Sequence, residues 1–460
     1  MINQLLSRAF IVSNKNFKVN FENASVLNSG GFYLTVFNTQ IDEGSIADNC
    51  RISFDTMKVD NHSAAVQYGA TIYKERLTVT NNQMNTRDIY FFFEPDKNIF
   101  VLFNTLLLAK EILIACGLDV NYSSDKIYEN GSHFKYVKLL QYSEVLKVAT
   151  SGSGLEFDLH KEQDILETEV DRSYTLQKAE ESFYEVLFNA TKKLTNDYNE
   201  VSIPLSGGID SGSIAYLLTQ LNKKVTAYTI GTEWGNEYED AKSTADYIGV
   251  SLTDVYITRD DIFREIPNII AAFGFNIASN IEISLVPQCL FRKVKEQKSN
   301  QDILFATGFG SDLLNAGIFK PFNTYEELRN DILDTLKKTR MPTETYSNLF
   351  FTNNSMYENI HVVHPFWDPE VIIEALKIAP EFKVVDKKDK YFFRKMLENR
   401  MGVHNCWRKK WAAHHGTGIG FNLRNALSKT GEQVSQEEYE NYFKNIHKEI
   451  FYNNNFSLLK

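Results

Sequence analysis

One short segment constrains this chain more than any other: LSGGIDS, at residues 205–211. It follows an apolar run typical of a buried strand and precedes an apolar periodic stretch that predicts a helix. Two adjacent glycines let the backbone curl so that several N–H groups point into one concavity. The following helix directs its positive N-terminus at the same point. The segment therefore predicts an anion site where a strand ends and a helix begins.

The side chains of this segment favour phosphate and a metal ion. Ser206 and Ser211 can add hydroxyl donors. Asp210 would repel a bare phosphate, so its presence predicts Mg²⁺ between the carboxylate and phosphate oxygens. The alternative is a tight turn in which Asp210 is only a helix N-cap residue, and SGG alone would favour it. SGGxDS between a strand and a helix favours the phosphate site, and neither a Walker A loop nor a dinucleotide fingerprint is present.

The surrounding pattern predicts a parallel sheet. After an amphipathic helix expected near residues 174–198, the apolar runs VSIPL, VTAYTIG, LTDVYI and DILFATG alternate with helical stretches. Such alternation predicts parallel strands with helices on both faces. Asp312 follows the fourth run in TGFGSD, at the edge where open α/β sheets bind ligands. It is expected either to share Mg²⁺ with Asp210 or to be a simple helix cap.

The first third of the chain has a different pattern. Short β-rich segments such as GFYLTVFNT, AVQYGATIY and IYFFFEPDKNIFVLF are separated by turn clusters, and LLLAKEILIACG at residues 106–117 predicts one helix ending at Gly117. We therefore predict a mixed, antiparallel first domain at residues 1–172 and a second domain at residues 173–460.

Composition excludes several other classes of protein. The formal net charge of −10 is unfavourable for nucleic-acid binding, which depends on phosphate neutralisation by Lys and Arg. The four cysteines are scattered, which argues against a disulfide framework or a zinc site. No signal peptide or membrane-spanning run is recognisable. The sequence therefore predicts a cytoplasmic protein that binds neither nucleic acid nor membrane.

Several motifs occur in the order of a known family: LSGGIDS, YTIGTEWGNEYE, TGFGSDLL, HPFWDPE and WRKKWAAHHGTG. Together they resemble the asparagine synthetase B superfamily of PP-loop ATP pyrophosphatases, and within it the β-lactam and carbapenam synthetases. The resemblance implies an α/β fold: a degenerate Ntn-hydrolase-like αββα domain, followed by a doubly wound, parallel-sheet PP-loop synthetase domain. An active glutaminase of this family needs an N-terminal Cys, whereas this chain begins Met1-Ile2, so glutamine hydrolysis is not expected.

The resemblance also implies an activity and its residues. A substrate carboxylate would be activated by ATP and Mg²⁺ as an acyl-adenylate, and an amine would then displace AMP. Lys410 matches the catalytic lysine of the family, although a solvated basic run at residues 408–410 is the alternative. Glu344 matches the Glu of a Tyr–Glu dyad, and Phe309 occupies the position of its Tyr. The implied ATP-binding residues are Leu205, Ser206, Gly207, Gly208, Asp210, Ser211, Ile230 and Gly308, with Asp210 and Asp312 as metal ligands.

The replacement of a tyrosine by Phe309 leaves the reaction open, because Phe has no proton to transfer. The leading hypothesis is an intramolecular amide synthetase of carbapenam or β-lactam type, in antibiotic or secondary-metabolite biosynthesis. The alternatives are an intermolecular amide ligase or peptide macrocyclase, an enzyme acting on tRNA or nucleotides, and a non-catalytic relic. The expected partner is a small amino-carboxylate, and a homo-oligomer is left open. Glu237 and Glu282 are candidate substrate contacts, with a solvated charge run as the alternative for Glu237. Lys320 and Arg394 are candidate phosphate contacts and are equally compatible with surface charges.

Overall fold

The chain folds as a mixed α/β protein with several sheets. The computed structural model describes residues 2–6, 9–17, 24–37, 49–53, 59–60, 69–84, 88–152, 154–298, 301–341, 344, 357, 359–409, 412–428 and 433–459. Within these ranges there are three six-stranded sheets, two in the first third of the chain and one in the remainder.

The first two sheets are antiparallel. Their strands are β1 (Phe10–Ser13), β2 (Ala24–Ser29), β3 (Phe32–Phe37), β4 (Asn49–Ser53), β5 (Val59–Asp60), β6 (Gly69–Tyr73), β7 (Arg76–Thr80), β8 (Tyr90–Glu94), β9 (Ile99–Phe103), β10 (Lys138–Leu139), β11 (Glu144–Ser151) and β12 (Gly154–Lys161). The strand orders are β10-β8-β9-β1-β3-β2 and β12-β11-β7-β6-β4-β5. Side chains from both sheets share one core, which includes Phe32 and Phe100 from the first sheet and Leu77 and Val148 from the second. The predicted antiparallel first region is confirmed, while its αββα layering stays a prediction.

Two helices belong to this first region, α1 (Ile2–Leu5) and α2 (Ala109–Ala115). A 3₁₀ turn at Leu106–Leu108 leads into α2, and Gly117 follows it with a φ of +65°, so the predicted helix and its glycine end are confirmed. The helix packs in a core that continues into the remainder of the chain, because Leu106 and Ile112 belong to the same apolar cluster as Ile270 and Phe443.

The third sheet is the predicted parallel one. Its strands are β13 (Glu200–Pro204), β14 (Lys224–Thr232), β15 (Gly235–Asn236), β16 (Ser251–Tyr256), β17 (Ile303–Ala306) and β18 (Ile360–Val363). The order is β16-β14-β13-β17-β18 with every neighbour parallel, and the short β15 pairs antiparallel with the end of β14. Strand order reverses between β13 and β17. At such a switch point two connections leave in opposite directions and open a crevice at the carboxyl ends of the strands.

Helices cover both faces of this sheet. They are α3 (Leu176–Leu194), α4 (Ile209–Gln220), α5 (Tyr238–Ile248), α6 (Arg259–Phe273), α7 (Ala278–Gln297), α8 (Ser311–Leu314), α9 (Tyr325–Thr339), α10 (Pro369–Lys377), α11 (Pro380–Lys383), α12 (Tyr391–Met401), α13 (Val403–Trp407), α14 (Ala413–Gly416), α15 (Ile419–Ala426) and α16 (Gln436–Phe451). Short 3₁₀ turns lie at Ile165–Glu167, Pro365–Trp367 and Phe456–Leu458. In the described part of the chain no single helix has the length and apolarity to cross a membrane, although α6 and α7, bent by 109° where they meet, satisfy that test as a pair.

Candidate functional site

The predicted phosphate segment connects β13 to α4. Gly207 has a φ of +71°, and a Cβ atom there would lie 2.4 Å from the carbonyl carbon of Asp240, so only glycine fits this turn. The backbone N–H of Ser206 donates to Oγ of Ser211 at 3.3 Å, which closes the loop on itself. Gly208 is the N-cap residue of α4 and has no side chain to cap the helix. The first N–H groups of a twelve-residue helix therefore face the loop, an arrangement that suits an anion.

The structure brings Asp210 and Asp312 together. Asp210 lies in the first turn of α4 and is only 3% exposed, and Asp312 lies in the first turn of α8, after β17. Between them is a residue that no sequence pattern singles out, Lys390. Its Nζ atom is 2.6 Å from Oδ1 of Asp210 and 2.5 Å from Oδ1 of Asp312. One buried ammonium thus bridges both carboxylates.

Lys390 ends a turn with unusual backbone conformation. Asp386, Lys387 and Lys390 have φ values of 49°, 63° and 52°, in the left-handed region that side chains other than glycine rarely adopt. Arg394 fixes this turn, since its guanidinium donates to the carbonyl oxygen and to Oδ2 of Asp389 at 2.9 and 2.8 Å. The backbone strain is thereby held in place, and Lys390 points into the site.

Two glycines allow the close approaches on which this arrangement depends. A Cβ atom on Gly308 would lie 2.4 Å from the carbonyl carbon of Asp210 and from the nitrogen of Ser211, so the exit of β17 touches the phosphate loop. A Cβ atom on Gly317 would lie 2.2 Å from Cε of Lys390 and 2.4 Å from Oδ1 of the second carboxylate. Both glycines are therefore needed for packing, and the role predicted for Gly308 in ATP binding stays a prediction.

The basic run at residues 408–410 is partly anchored in the protein. Arg408 donates to the carbonyl oxygens of Gly207 at 3.2 Å and Asp240 at 2.8 Å, and its side chain is 11% exposed. Arg408 therefore differs from the two possibilities considered from the sequence for this run, a solvated basic segment and a catalytic lysine. Its guanidinium holds the backbone of the phosphate loop in place. Lys409 is exposed, and Lys410 lies outside the described residues, so its role stays a prediction.

The segment after the basic run lies on the carboxyl end of β14. Oγ1 of Thr232 donates to the carbonyl oxygen of Thr417 at 2.6 Å. A Cβ atom on Gly416 would lie 2.5 Å from Cδ of Glu237, so that carboxylate lies against the backbone of α14. Burial, with His415 adding repulsion, lowers the pKa of His414 to about 4, so this imidazole is neutral at physiological pH. Ile230, predicted to contact ATP, is a buried residue of β14.

The two residues of the predicted dyad lie in different surroundings. The ring of Phe309 packs edge-on against Trp367 and His364, with centroids 5.6 and 6.0 Å apart. Oγ1 of Thr307 is 2.7 Å from Nδ1 of His364, which holds that imidazole beside the β17 exit. The backbone carbonyl of Glu344 accepts from Asn280 of α7 at 3.2 Å. The segments 342–343 and 345–356 lie outside the described residues.

Three other candidates from the sequence have partners within the protein. Glu282 accepts a hydrogen bond from the hydroxyl of Tyr439 at 2.6 Å, between α7 and α16, and burial raises the pKa of its carboxyl. Lys320 is largely exposed and pairs with Asp331 at 3.2 Å. Arg394 is buried and bound to backbone, as described above. Each of these contacts links one part of the protein to another. In none of them is the partner a side chain of the phosphate loop.

A Mg²⁺ ion fits the donor set between β13 and β17. The ammonium of Lys390 shows that the two carboxylates can share one cation, so a metal ion could be held in its place. Carboxylate oxygens are hard donors, the ligands that Mg²⁺ prefers. In the described part of the chain no group of three or more His, Cys, Asp or Glu side chains is arranged around one point. Two carboxylates with phosphate oxygens and water would complete the usual coordination of this ion.

Comparison with known proteins places the chain in a family. The family model described as asparagine synthase matches residues 182–353 and 343–455, which together span more than half of the chain. This chain belongs to the asparagine synthase family. The match begins within α3 and ends within the last residues of the chain, so it includes the phosphate loop, both carboxylates and Lys390.

Individual relatives are distant. Carboxyethyl-arginine beta-lactam-synthase of Streptomyces clavuligerus is 22% identical over 249 residues, which are 54% of this chain and 46% of that protein. Asparagine synthetase [glutamine-hydrolyzing] 1 of Lotus japonicus is 25% identical over 250 residues, 50% of this chain and 41% of that protein. The matches thus span less than half the length of these relatives. Among solved structures, NMN synthetase from Francisella tularensis aligns with 63% of this chain and 97% of its own at 9% identity and a TM-score of 0.30, which is too low to support a conclusion.

Proposed function

We propose that this member of the asparagine synthase family is an ATP- and Mg²⁺-dependent ligase that adenylates a substrate carboxylate and converts it to an amide. The observation that carries the proposal is the group formed by Asp210, Lys390 and Asp312 beside the glycine loop. It lies at the switch point of a parallel sheet, where such folds bind ligands. An anion cradle next to a buried and a half-buried carboxylate suits a polyphosphate bound with a divalent cation.

In this proposal the loop binds the two phosphates that leave. The N–H groups at the start of α4 and the hydroxyls of Ser206 and Ser211 would donate to phosphate oxygens. Arg408 keeps the loop curled by binding the carbonyl of Gly207, so the N–H groups stay directed at the ligand. Mg²⁺, held by Asp210 and Asp312, would neutralise charge on the phosphates.

The proposed chemistry has two steps. An oxygen of the substrate carboxylate attacks the α-phosphorus of ATP, and the bond from that phosphorus to the bridging oxygen of pyrophosphate breaks. An amine then attacks the acyl carbon of this acyl-adenylate, and AMP leaves with the electron pair of the bond between that carbon and the bridging oxygen of the mixed anhydride. The amine loses one proton, for which Glu344 is the proposed base, and Lys410 is the proposed cation for charge on the acyl oxygen and the phosphate.

Ring closure within one substrate is the favoured form of the second step. The likeness to a beta-lactam synthase supports it, and the product would then be an intramolecular amide of antibiotic or secondary metabolism. Phe309 supports a second candidate, an intermolecular amide ligase or macrocyclase. Its ring packs against Trp367 and offers no hydroxyl, which suits a relaxed amide better than a strained four-membered ring. The first domain, proposed to be a degenerate glutaminase-like unit, would be structural in either case.

The test is substrate-dependent exchange of labelled pyrophosphate into ATP, with a panel of acids that includes carboxymethylproline and β-amino acids. Active acids are then followed by mass spectrometry for loss of water. Exchange with loss of water from a single substrate supports ring closure, and exchange that yields product only with an added amine supports the intermolecular ligase. An absence of exchange with every acid, in protein that is folded, would refute the proposed adenylation.

A further inference from the structure

The ammonium of Lys390 occupies the place between two carboxylates that a metal ion would need. It is 2% exposed and takes one oxygen from each of Asp210 and Asp312. Mg²⁺ binds carboxylate oxygens at about 2.0–2.1 Å and cannot share those oxygens with an ammonium at the same point. Lys390 and the metal ion are therefore competitors for one place.

Without a metal ion the protein needs this lysine. Two carboxylates close together repel each other, and burial of an unpaired charge is costly. Asp210 is almost fully buried, so the ammonium offsets its charge where water cannot. The same pairing makes the site less attractive to a free divalent cation, because one of the two negative charges is already offset and the incoming ion would meet a positive charge at short range.

The surroundings of Lys390 allow its head to leave while its backbone stays. Arg394 binds the preceding residue, Asp389, through both backbone and side chain, which fixes the turn. Gly317 has no side chain to clash with the lysine stem, since a Cβ atom there would lie 2.2 Å from its Cε. The lysine stem has four methylene groups and many rotamers, so the ammonium can move to a nearby anion without movement of the chain.

We propose that Lys390 is an exchangeable internal cation that closes the Asp210–Asp312 site to divalent metal until a polyphosphate arrives and accepts the ammonium. Metal ion and polyphosphate then bind together rather than in sequence. The proposal rests on the proposed function only in taking a nucleotide as the source of the polyphosphate. It predicts that removal of the ammonium uncouples the two ligands.

The experiment compares wild-type protein with Lys390→Met, which keeps most of the stem and removes the charge. Lys387→Met is the matched control, since Lys387 is exposed and has positive φ in the same turn. Binding of Mn²⁺ is measured without nucleotide from the electron paramagnetic resonance signal of the free ion. We expect Lys390→Met to bind Mn²⁺ about tenfold more tightly, or better, than both other proteins, because a neighbouring positive charge is removed. Equal affinity in all three proteins would overturn the proposal.

Thermal unfolding gives a second readout that does not depend on activity. Millimolar MgCl₂ without nucleotide should raise the Tm of Lys390→Met and leave wild type unchanged. If Lys390→Met does not fold with or without MgCl₂, the wild type decides. A rise of the wild-type Tm with MgCl₂ alone would show that the metal ion binds without nucleotide and would overturn the proposal. A rise only with MgCl₂ and ATP together supports it. Failure of wild type to bind ATP with Mg²⁺ at all would refute the proposed function, while the Mn²⁺ comparison would still decide the role of Lys390.

Discussion

Replacement of Lys383 by Met should stabilise the protein in a pH-dependent way. Lys383 belongs to α11 and is 3% exposed. Its Nζ donates to the carbonyl oxygen of Leu314 at 2.6 Å, at the end of α8, the short helix that carries Asp312. Burial, with a smaller contribution from the guanidinium of Arg329, lowers the pKa of this lysine from 10.5 to about 7.

The sign of the effect follows from the two pKa values. Below pH 7 folded and unfolded chains both hold the proton, and the cost of a buried ammonium is fully present. Between about pH 7 and 10.5 the unfolded chain binds a proton that the folded chain lacks, so the free energy of unfolding rises with pH. The shift corresponds to about 5 kcal/mol at most. Loss of the hydrogen bond to Leu314 offsets about 1 kcal/mol, which leaves Lys383→Met more stable than wild type by roughly 3–4 kcal/mol below neutral pH.

Urea unfolding followed by tryptophan fluorescence measures this difference, because Trp234, Trp367, Trp407 and Trp411 all lie in the second region of the chain. The advantage of Lys383→Met should fall by about 3 kcal/mol between pH 6.5 and pH 9.5. Lys387→Met, at an exposed position, should show no such change. A stability difference that is independent of pH, or a variant less stable than wild type at pH 6.5, would refute the assignment of a destabilising buried ammonium.

Five further substitutions test the site. Asp210→Asn and Asp312→Asn should each lower ATP–pyrophosphate exchange about a hundredfold or more, because each removes charge that would hold the metal ion; an exchange rate near that of wild type would exclude the residue as a ligand. Gly308→Ala should destabilise the protein by on the order of 2 kcal/mol in urea unfolding, since its Cβ would overlap the backbone of the phosphate loop. Arg408→Met should weaken ATP binding about tenfold by calorimetry, because the clamp on the Gly207 carbonyl is lost; unchanged affinity would show that the loop holds its shape alone. Phe309→Tyr should leave exchange unchanged and speed amide formation in single turnovers by about tenfold or more if a hydroxyl there can pass on the amine proton; equal rates would remove position 309 from that step.

The parallel sheet was predictable because its signals are local. Four of its strands coincide with apolar runs recognised in the sequence, and β17 is buried at all four positions, as expected of a strand covered on both faces. The short β15 and the edge strand β18 were not predicted. For the first region, only its antiparallel, β-rich character could be predicted from the sequence. The apolar run at residues 90–103 is interrupted only by the polar residues EPDKN, and there the structure divides it into β8 and β9 at a turn where Asn98 has a φ of 51°. Which strands then pair across the two sheets depends on contacts distant in sequence, and alternation alone cannot specify them.

The same limit applies to the site. The proximity of Asp210 and Asp312 was predictable, because each lies in the first turn of the helix that follows a parallel strand, and parallel strands end at one edge. Lys390 follows no strand and lies 180 residues from Asp210 along the chain. Its direction depends on a turn with three left-handed residues other than glycine, which local propensity disfavours. A lysine before an apolar helix is too common a pattern to indicate a buried cation.

Two arginines show why the site behaves as a unit. From the sequence, Arg394 was a candidate phosphate contact and Arg408 part of a possible solvated basic run, whereas in the structure both donate to backbone carbonyls. Arg408 holds the phosphate loop through Gly207, and Arg394 holds the turn of Lys390 while also donating to the carbonyl oxygen of Cys406. The short helix α13, which contains Cys406 and directly precedes Arg408, is thus tied to both sides of the site. A displacement of the chain just before Lys410 would therefore act on the phosphate loop and on the internal cation together, since an arginine links each of them to α13.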